Sequence, residues 1–219
     1  NHPKPPRKSY FIRLTNFRGA SNQGPRTLEA IRNRQCGWFY EANTEDFRKI
    51  PGSPFAYWAR SGLIKAFENA SQSVGGFVET EGKNVTTNND RFVRCWWEVS
   101  FDQVGISPKR WFPFATGGGY RKWFGNLVDV VDWSPMAQDH YRHSPAGRLI
   151  RKEFWYLRGI TWSKITSSKA SFRILPREQT YQEVAILFAP EKESLLLPLL
   201  GYLNCTVSEQ LLQLLAPTL

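Results

Sequence analysis

Five short stretches of the chain interleave Trp, Tyr and Phe with Arg and Lys. They are Arg94-Cys95-Trp96-Trp97, Lys109-Arg110-Trp111-Phe112, Tyr120-Arg121-Lys122-Trp123-Phe124, Phe154-Trp155-Tyr156-Leu157-Arg158 and Thr161-Trp162-Ser163-Lys164. Basic side chains neutralise phosphates, and aromatic rings stack on bases or brace a groove wall. The pattern therefore points to a nucleic-acid-binding surface. No catalytic constellation accompanies it. Ala115-Thr-Gly-Gly-Gly119 lacks the Gly-Lys-Ser/Thr ending of a P-loop and the G-x-G-x-x-G spacing of a dinucleotide site. Ser53-Pro54-Phe55 is one proline short of the Asn-Pro-Pro-Tyr motif of amino-methyltransferases, no acidic glycine-rich cofactor loop precedes it, and it reads as a turn. His140 and His143 would suit one metal from a helix but have no obvious third ligand, and surface histidines are far commoner. His140 with Asp139 is an equally thin acid/base pair. No catalytic and no metal-binding residue is assigned.

Gly117–Gly125 and Gly159–Ile165 share one logic: glycines let backbone N–H groups approach phosphates, neighbouring basic residues add charge, and a Trp stiffens the loop. Arg121, Lys122, Arg158, Ser163 and Lys164 are assigned to DNA contacts, chiefly phosphates, with Trp123 and Trp162 as loop braces. Solvated lysines beside core tryptophans are the plain alternative, and both can hold together. Thr86-Thr87-Asn88-Asn89-Asp90-Arg91-Phe92 is a polar turn leading into an apolar segment. Asn and Arg read adenine and guanine edges bidentately, so Thr86, Asn88, Asn89 and Arg91 are candidates for base reading. An Asx-turn closing a hairpin, with Arg91 paired to Asp90 or another acid, is equally compatible.

Composition agrees with an anionic partner. The 219 residues carry a formal net charge of +10 at a pI of about 9.7, and 15% of them are aromatic. A surface built only for solubility has no need of tryptophan. Apolar content of 41% against 22% charged residues predicts a packed core. Basic residues cluster twice, at Lys4–Arg34 and at Lys109–Arg173, while the leucine-rich end from Glu191 is mildly acidic. Cys36, Cys95 and Cys205 stand apart, which favours neither a zinc site nor a disulfide framework and suits a reducing compartment. No signal peptide and no apolar run of spanning length is seen, so a cytoplasmic, membrane-free protein is expected. The sequons at Asn69, Asn84 and Asn204 then read as chance matches.

The elements that must position these residues read as α+β, a mixed and largely antiparallel β domain with peripheral helices and a C-terminal helical pair. Strands are expected at Tyr10–Leu14 and Gly37–Ala42, with a helix over Thr27–Arg34 between them. Ile50–Phe55, with two prolines, is a break at which a domain boundary is placed. A helix capped by Ser61 carries Leu63, Ile64 and Phe67 on one stripe. Gly76–Trp133 reads as mostly β, including Arg91–Phe101 and Leu127–Trp133. Ser134-Pro135 starts a helix that runs toward Ile150 with an interruption near Pro145. Phe154–Ile165, Ser171–Leu175 and Tyr181–Phe188 are three further strands. Leu195–Leu203 and Ser208–Leu215 close the chain as helices, with Thr206-Val-Ser-Glu209 as a capping box.

Taken in order, Ile50–Trp58, Asn89–Arg94, Lys109–Phe114, Gly118–Asn126, Gly159–Ile165, Leu200–Asn204 and Pro217-Thr218 resemble the large adenine-specific DNA methyltransferases of BREX phage-defence systems, the PglX-like family. The resemblance covers nearly all of the chain from Phe39 and is to the middle of those proteins. It implies that residues 1–50 are the end of a methyltransferase domain with its linker, and that residues 51–219 are a target-recognition domain. The family's cofactor loop and Asn-Pro-Pro-Tyr motif lie upstream, so S-adenosylmethionine would be held there and no cofactor by this chain. The implied partners are double-stranded DNA, the upstream methyltransferase domain and, beyond these, other BREX proteins or phage DNA mimics. Where the family usually shows Gly-x-x-Thr-Gly, this sequence keeps Thr86 and has Lys83 and Thr87 at the glycine positions.

The implied function is recognition of a short DNA sequence for adenine-N6 methylation by the upstream domain. Two readings from other classes stay beside it: a non-enzymatic single-strand DNA or RNA binder whose aromatics stack on bases, and a protein-interaction domain whose basic face meets an acidic partner. The purified 219-residue chain is expected to transfer no methyl group to DNA and to bind no S-adenosylmethionine. A labelled-methyl transfer assay and a calorimetric titration check this, and label incorporated into DNA would refute it.

Overall fold

The computed structural model describes residues 8–106, 108–163, 169–182, 184–188 and 192–215. The chain forms two compact units, one up to Ser71 joined by the segment from Gln210, the other Gln72–Glu209. In the first unit, β1 (Lys8–Ile12) pairs antiparallel with β2 (Phe39–Asn43), Lys8 opposite Asn43 and Ile12 opposite Phe39. Between them, α1 (Ala20–Arg32) starts seven residues before the helix read at Thr27. Its first turn has no apolar period to reveal it. Polar side chains hold it instead: Asn22 donates to the Arg18 carbonyl at 2.9 Å and Gln23 to that of Phe17 at 3.1 Å.

The Ile50–Phe55 turn needs left-handed backbone at Gly52 (φ 80°) and Ser53 (φ 47°). It delivers Ile50 and Ala56 to a small core with Leu214, against which α2 (Ser61–Glu68) lays Leu63, Ile64 and Phe67. Ser61 is the first helical residue and not the cap. Arg60 occupies the N-cap position and makes no side-chain capping bond. Several arginines of the N-terminal basic group are spent on aromatic faces. Arg13 lies 4.0 Å over Trp58, Arg34 4.9 Å over Tyr10, and Arg26 5.2 Å over Phe17, where they are attracted by the ring quadrupoles.

In the second unit, the expected long β region contracts. A single helical turn, α3 (Asn89–Phe92), leads into β3 (Val93–Cys95), and 3-10 turns at Trp96–Glu98 and Phe101–Gln103 replace the rest of the strand read over Arg91–Phe101. The Glu98 carboxylate accepts from the Cys95 N–H at 2.6 Å and bends the chain away from the sheet. Next come β4 (Trp111–Ala115) and β5 (Asp129–Asp132). The Ser134 hydroxyl accepts from the Ala137 N–H at 3.3 Å and starts α4 (Pro135–His143), with Pro135 at a position where its missing N–H costs nothing. This helix stops at His143 and does not resume toward Ile150.

β6 (Gly159–Ser163) and β7 (Phe172–Leu175) follow, the first beginning well after Phe154, which sits in a 3-10 turn. Tyr181–Phe188, read as one strand, is two: β8 (Thr180–Tyr181) runs parallel to β4, and β9 (Val184–Phe188) pairs antiparallel with β6. One sheet therefore has the order β3-β5-β4-β8 and the other β7-β6-β9. β8 reaches only Phe114 and Ala115, so at Pro113 β4 pairs with β5 alone. That is how a central strand tolerates a residue with no N–H. The chain closes with α5 (Leu196–Leu203) and α6 (Thr206–Leu215). Thr206 is the first helical residue of α6, and the Glu209 carboxylate pairs with Lys169 at 2.7 Å, so the expected capping box does not form. Cys205 stands before the helix instead, and hydrogen bonding with the Ser208 N–H and hydroxyl draws its thiol below the ordinary value.

The fold is α+β with mostly antiparallel sheets. No single helix among the described residues is long and apolar enough to cross a membrane. The core of the second unit alternates along β4, with Phe112 and Phe114 buried, and takes in Val131, Trp133 and Tyr141 on one side and Ile150, Leu175 and Tyr181 on the other. Burial and the nearby Asp132 push the Tyr141 hydroxyl upward in pKa, so it stays protonated and donates to the Asp132 carbonyl at 2.8 Å.

Two buried asparagines tie distant segments. Asn84 donates to the Thr180 hydroxyl (2.7 Å) and the Tyr181 carbonyl (3.0 Å), and accepts from the Ile150 N–H (3.0 Å). Asn204 accepts from the Phe172 N–H (3.1 Å) and donates to the Phe172 carbonyl (2.9 Å). Removing such a side chain strands buried backbone groups, each at a cost of about 1–3 kcal/mol. Asn84→Ala should therefore lower unfolding free energy by roughly 3 kcal/mol, measured by urea titration. A loss below about 1 kcal/mol would show that the carbonyl and N–H find other partners.

Candidate nucleic-acid interface

The Gly117–Asn126 loop is held by its backbone. The Trp123 N–H donates to the Phe172 carbonyl and its carbonyl accepts from the Ile174 N–H, both at 2.9 Å, so one residue of the loop extends the β7 edge opposite Arg173. Trp123 does so at φ 74°, a left-handed conformation that is costly for a bulky residue. Its ring is 53% exposed and that of Phe124 61%. Trp123 thus anchors the loop through main-chain bonds while its side chain faces outward. Gly125 (φ 122°) follows, where a Cβ would collide with the Arg121 side chain, and Asn126 donates to the Gly119 carbonyl at 2.9 Å.

Beneath the loop lies Arg173, 1% exposed and without a carboxylate partner among the described residues. Its guanidinium donates to the Arg121 and Ser171 carbonyls and the Ser171 hydroxyl at 3.4 Å, and to the Ser163 hydroxyl at 3.3 Å. Ser163 in turn donates to the Gly118 carbonyl at 2.8 Å. Arg173 Nε has no partner among the described residues, nor does the buried hydroxyl of Thr161, paired with it across the strands. Burial and the charge of Arg121 lower the Arg173 pKa. Of the two basic residues on the loop, Arg121 is exposed. Lys122 is half-buried and donates to the Asn204 carbonyl at 2.8 Å, at the C-terminal end of α5, where a cation opposes the helix dipole.

The Thr86–Phe92 segment is internally bonded. The Asn88 side-chain oxygen Oδ1 accepts from the Arg91 N–H at 3.0 Å and caps α3. Asn89 and Gln182 form a reciprocal amide pair with both bonds at 3.1 Å, and the buried Thr86 hydroxyl donates to Asn89 at 2.6 Å. The asparagines thus have local occupations. Arg91 is exposed, lies 4.8 Å over the Phe92 ring and has no acidic partner among the described residues. It lines an open concavity of ≈ 500 Å³ with Met136, Asp139, His140 and His143. Thr87 adopts φ 66°, and its hydroxyl donates to the Thr86 carbonyl (2.6 Å) and meets His140 Nε2 at 3.0 Å.

Arg158 is half-buried and pairs with Glu193 at 3.7 Å, a carboxylate it shares with Arg177. Trp162 is half-buried against Phe172, ring centroids 5.4 Å apart. Lys164 lies outside the described residues, as does Pro217-Thr218. Among the described residues no group of His, Cys, Asp and Glu could hold a metal. The structure thus gathers Arg121, Lys122, Trp123, Trp162 and Ser163 around β6 and β7. Thr86, Asn88, Asn89 and Arg91 form a separate group beside α4.

No protein-family profile matches the chain. It is 29% identical over 223 residues to the adenine-specific methyltransferase PglX of Lacticaseibacillus casei (strain Zhang), across 95% of this chain and 19% of that protein. It is 31% identical over 173 residues to the adenine-specific methyltransferase BrxX of Escherichia coli O9:H4 (strain HS), across 78% of this chain and 14% of that protein. This chain is a relative of the PglX-like adenine-specific methyltransferases. It spans less than a fifth of the length of the relatives it matches.

The sequence did not point to Arg173, Gln182 or Arg177. Each gains its place from a residue far along the chain, and only the lone basic position of Arg173 inside an apolar strand was a signal. The PglX-like resemblance does illuminate Thr87, because a left-handed φ is where a family glycine belongs. Thr87→Val keeps the strain and loses both hydroxyl contacts, so it should cost about 1–2 kcal/mol. Thr87→Gly relieves the strain and should cost less. Chemical denaturation of both variants checks the order, and a glycine variant less stable than the valine one would contradict it.

Proposed function

We propose that this chain is the DNA target-recognition module of a PglX-like adenine-N6 methyltransferase. It would grip duplex DNA and present one adenine to a catalytic domain elsewhere in the longer protein. There the base would be flipped out and methylated from S-adenosylmethionine. The observation that carries this reading is the Gly117–Asn126 loop, clamped to the β7 edge while turning Arg121, Trp123 and Phe124 outward. A pre-ordered basic loop meets phosphates with little entropy left to lose. The names of the relatives and the net charge of +10 support it.

Within this reading the candidates divide by what their side chains already do. Arg121 is available for phosphate. Lys122 holds the end of α5, and Arg158 reaches phosphate by leaving Glu193. Arg91 is the base-reading candidate with a free guanidinium edge, whereas Asn88 and Asn89 set its loop.

Two measurements test the proposal. Binding of the 219-residue chain to duplex DNA should weaken linearly in log affinity against log salt, with a slope near −0.9 per phosphate contact. Arg121→Gln should weaken binding to all sequences and flatten that slope by about one contact. An unchanged slope would move the DNA face elsewhere, and no duplex binding at low salt would overturn the proposal.

A further inference from the structure

Beside the clamped loop lies a groove of ≈ 600 Å³ whose walls include Trp123, Phe124 and Leu197, with Arg158, Arg177 and Glu193 among its lining. Trp123, Phe124 and Leu197 are each more than half exposed. Two guanidiniums share the one carboxylate, which leaves the groove positively charged. We propose that this groove receives a single unpaired nucleotide of bound DNA, its base stacked on the Trp123 indole and its phosphate drawn to Arg158 and Arg177. The proposal rests on the reading of the chain as a duplex-binding module and names a second kind of contact for it.

Three observations converge on that occupant. A ligand with a flat apolar body and an anionic end matches an aromatic wall beside surplus positive charge, and a nucleotide has both. The depression, ≈ 600 Å³, is open to solvent, so a nucleotide still joined to its strand can enter it from outside. The third is strain. A bulky residue is held at φ 74° by hydrogen bonds on both its N–H and its carbonyl, and the outcome is an exposed residue carried on a fixed main chain. A main chain fixed in advance loses little freedom when a base stacks on the ring it carries. Glu193 acts as a placeholder, holding both arginines in the groove until a phosphate replaces it.

The test compares two duplexes that differ by one extra, unpaired 2-aminopurine. The 219-residue protein should bind the bulged duplex on the order of tenfold more tightly than the paired one, as expected for one base–aromatic stack. The 2-aminopurine emission should change on binding. Trp123→Ala should abolish the emission change and bring the affinity for the bulged duplex down to that for the paired one, so that their ratio falls to about one. Phe124→Ala, at a position with ordinary backbone, should reduce the preference and decides the matter if Trp123→Ala fails to fold. A preference intact in the folded variants, or absent from the wild type while the paired duplex is bound, overturns the groove proposal alone. Binding of neither duplex overturns the recognition reading and this proposal with it.

Discussion

The candidate interface depends on one buried guanidinium. Arg173 sits within β7 with no carboxylate among the described residues to neutralise it, and its donors are spread over the carbonyls and hydroxyls of Arg121, Ser171 and Ser163. Burying an arginine in this way is costly unless backbone oxygens surround it. The geometry makes the loop and the strand mutual conditions. The Trp123 main chain completes the edge of β7 directly opposite Arg173, and the Ser163 hydroxyl relays the same contact to Gly118. The exposed side chains of the loop owe their positions to atoms that never reach the surface.

This arrangement sorts the basic and aromatic residues into two kinds. Arg13, Arg26, Arg34 and Lys122 are absorbed by ring faces or a helix end. Arg110 pairs with the buried Asp132 at 2.8 Å, and Arg151 with Glu81 at 2.9 Å. Arg91 and Arg121 are left with solvent-facing guanidiniums, and Arg158 and Arg177 with a shared acid. Net charge alone would count all of these alike. Their hydrogen bonds show that the surplus available to an anionic ligand is smaller and more localised than +10 suggests.

Where local chemistry decided the structure, the sequence was legible. Ser134 followed by Pro135 starts α4, and leucine spacing gave the closing helices. β5 was visible as Val alternating with Asp, while β4 fell only within the general β reading of Gly76–Trp133. Arg91–Phe101 misled because Val, Trp and Phe favour strands, yet a side-chain bond from Glu98 to the Cys95 N–H turns the chain after three residues. Tyr181–Phe188 misled for a different reason: its pattern is strand throughout, but it serves two sheets. At the site, the loop glycines were legible because their backbone requirement is local. The occupation of Asn89 was not, because Gln182 is 93 positions away. The outward ring of Trp123 was hidden as well, since apolar type alone argues for burial.

The two buried asparagines have a practical consequence for producing the protein. Asn84 and Asn204 each begin an Asn-x-Thr triplet, and each side-chain amide is hydrogen-bonded through both its nitrogen and its oxygen within the core. Expression routed through a eukaryotic secretory pathway would offer both triplets to the glycosylation machinery while the chain is still unfolded. A glycan attached there has no room in the native packing and would take one N–H from each amide, displacing Asn84 from β8 and Asn204 from β7. Material from such a host would be trapped short of its native fold, whereas a host that does not modify asparagine leaves both amides free to complete it.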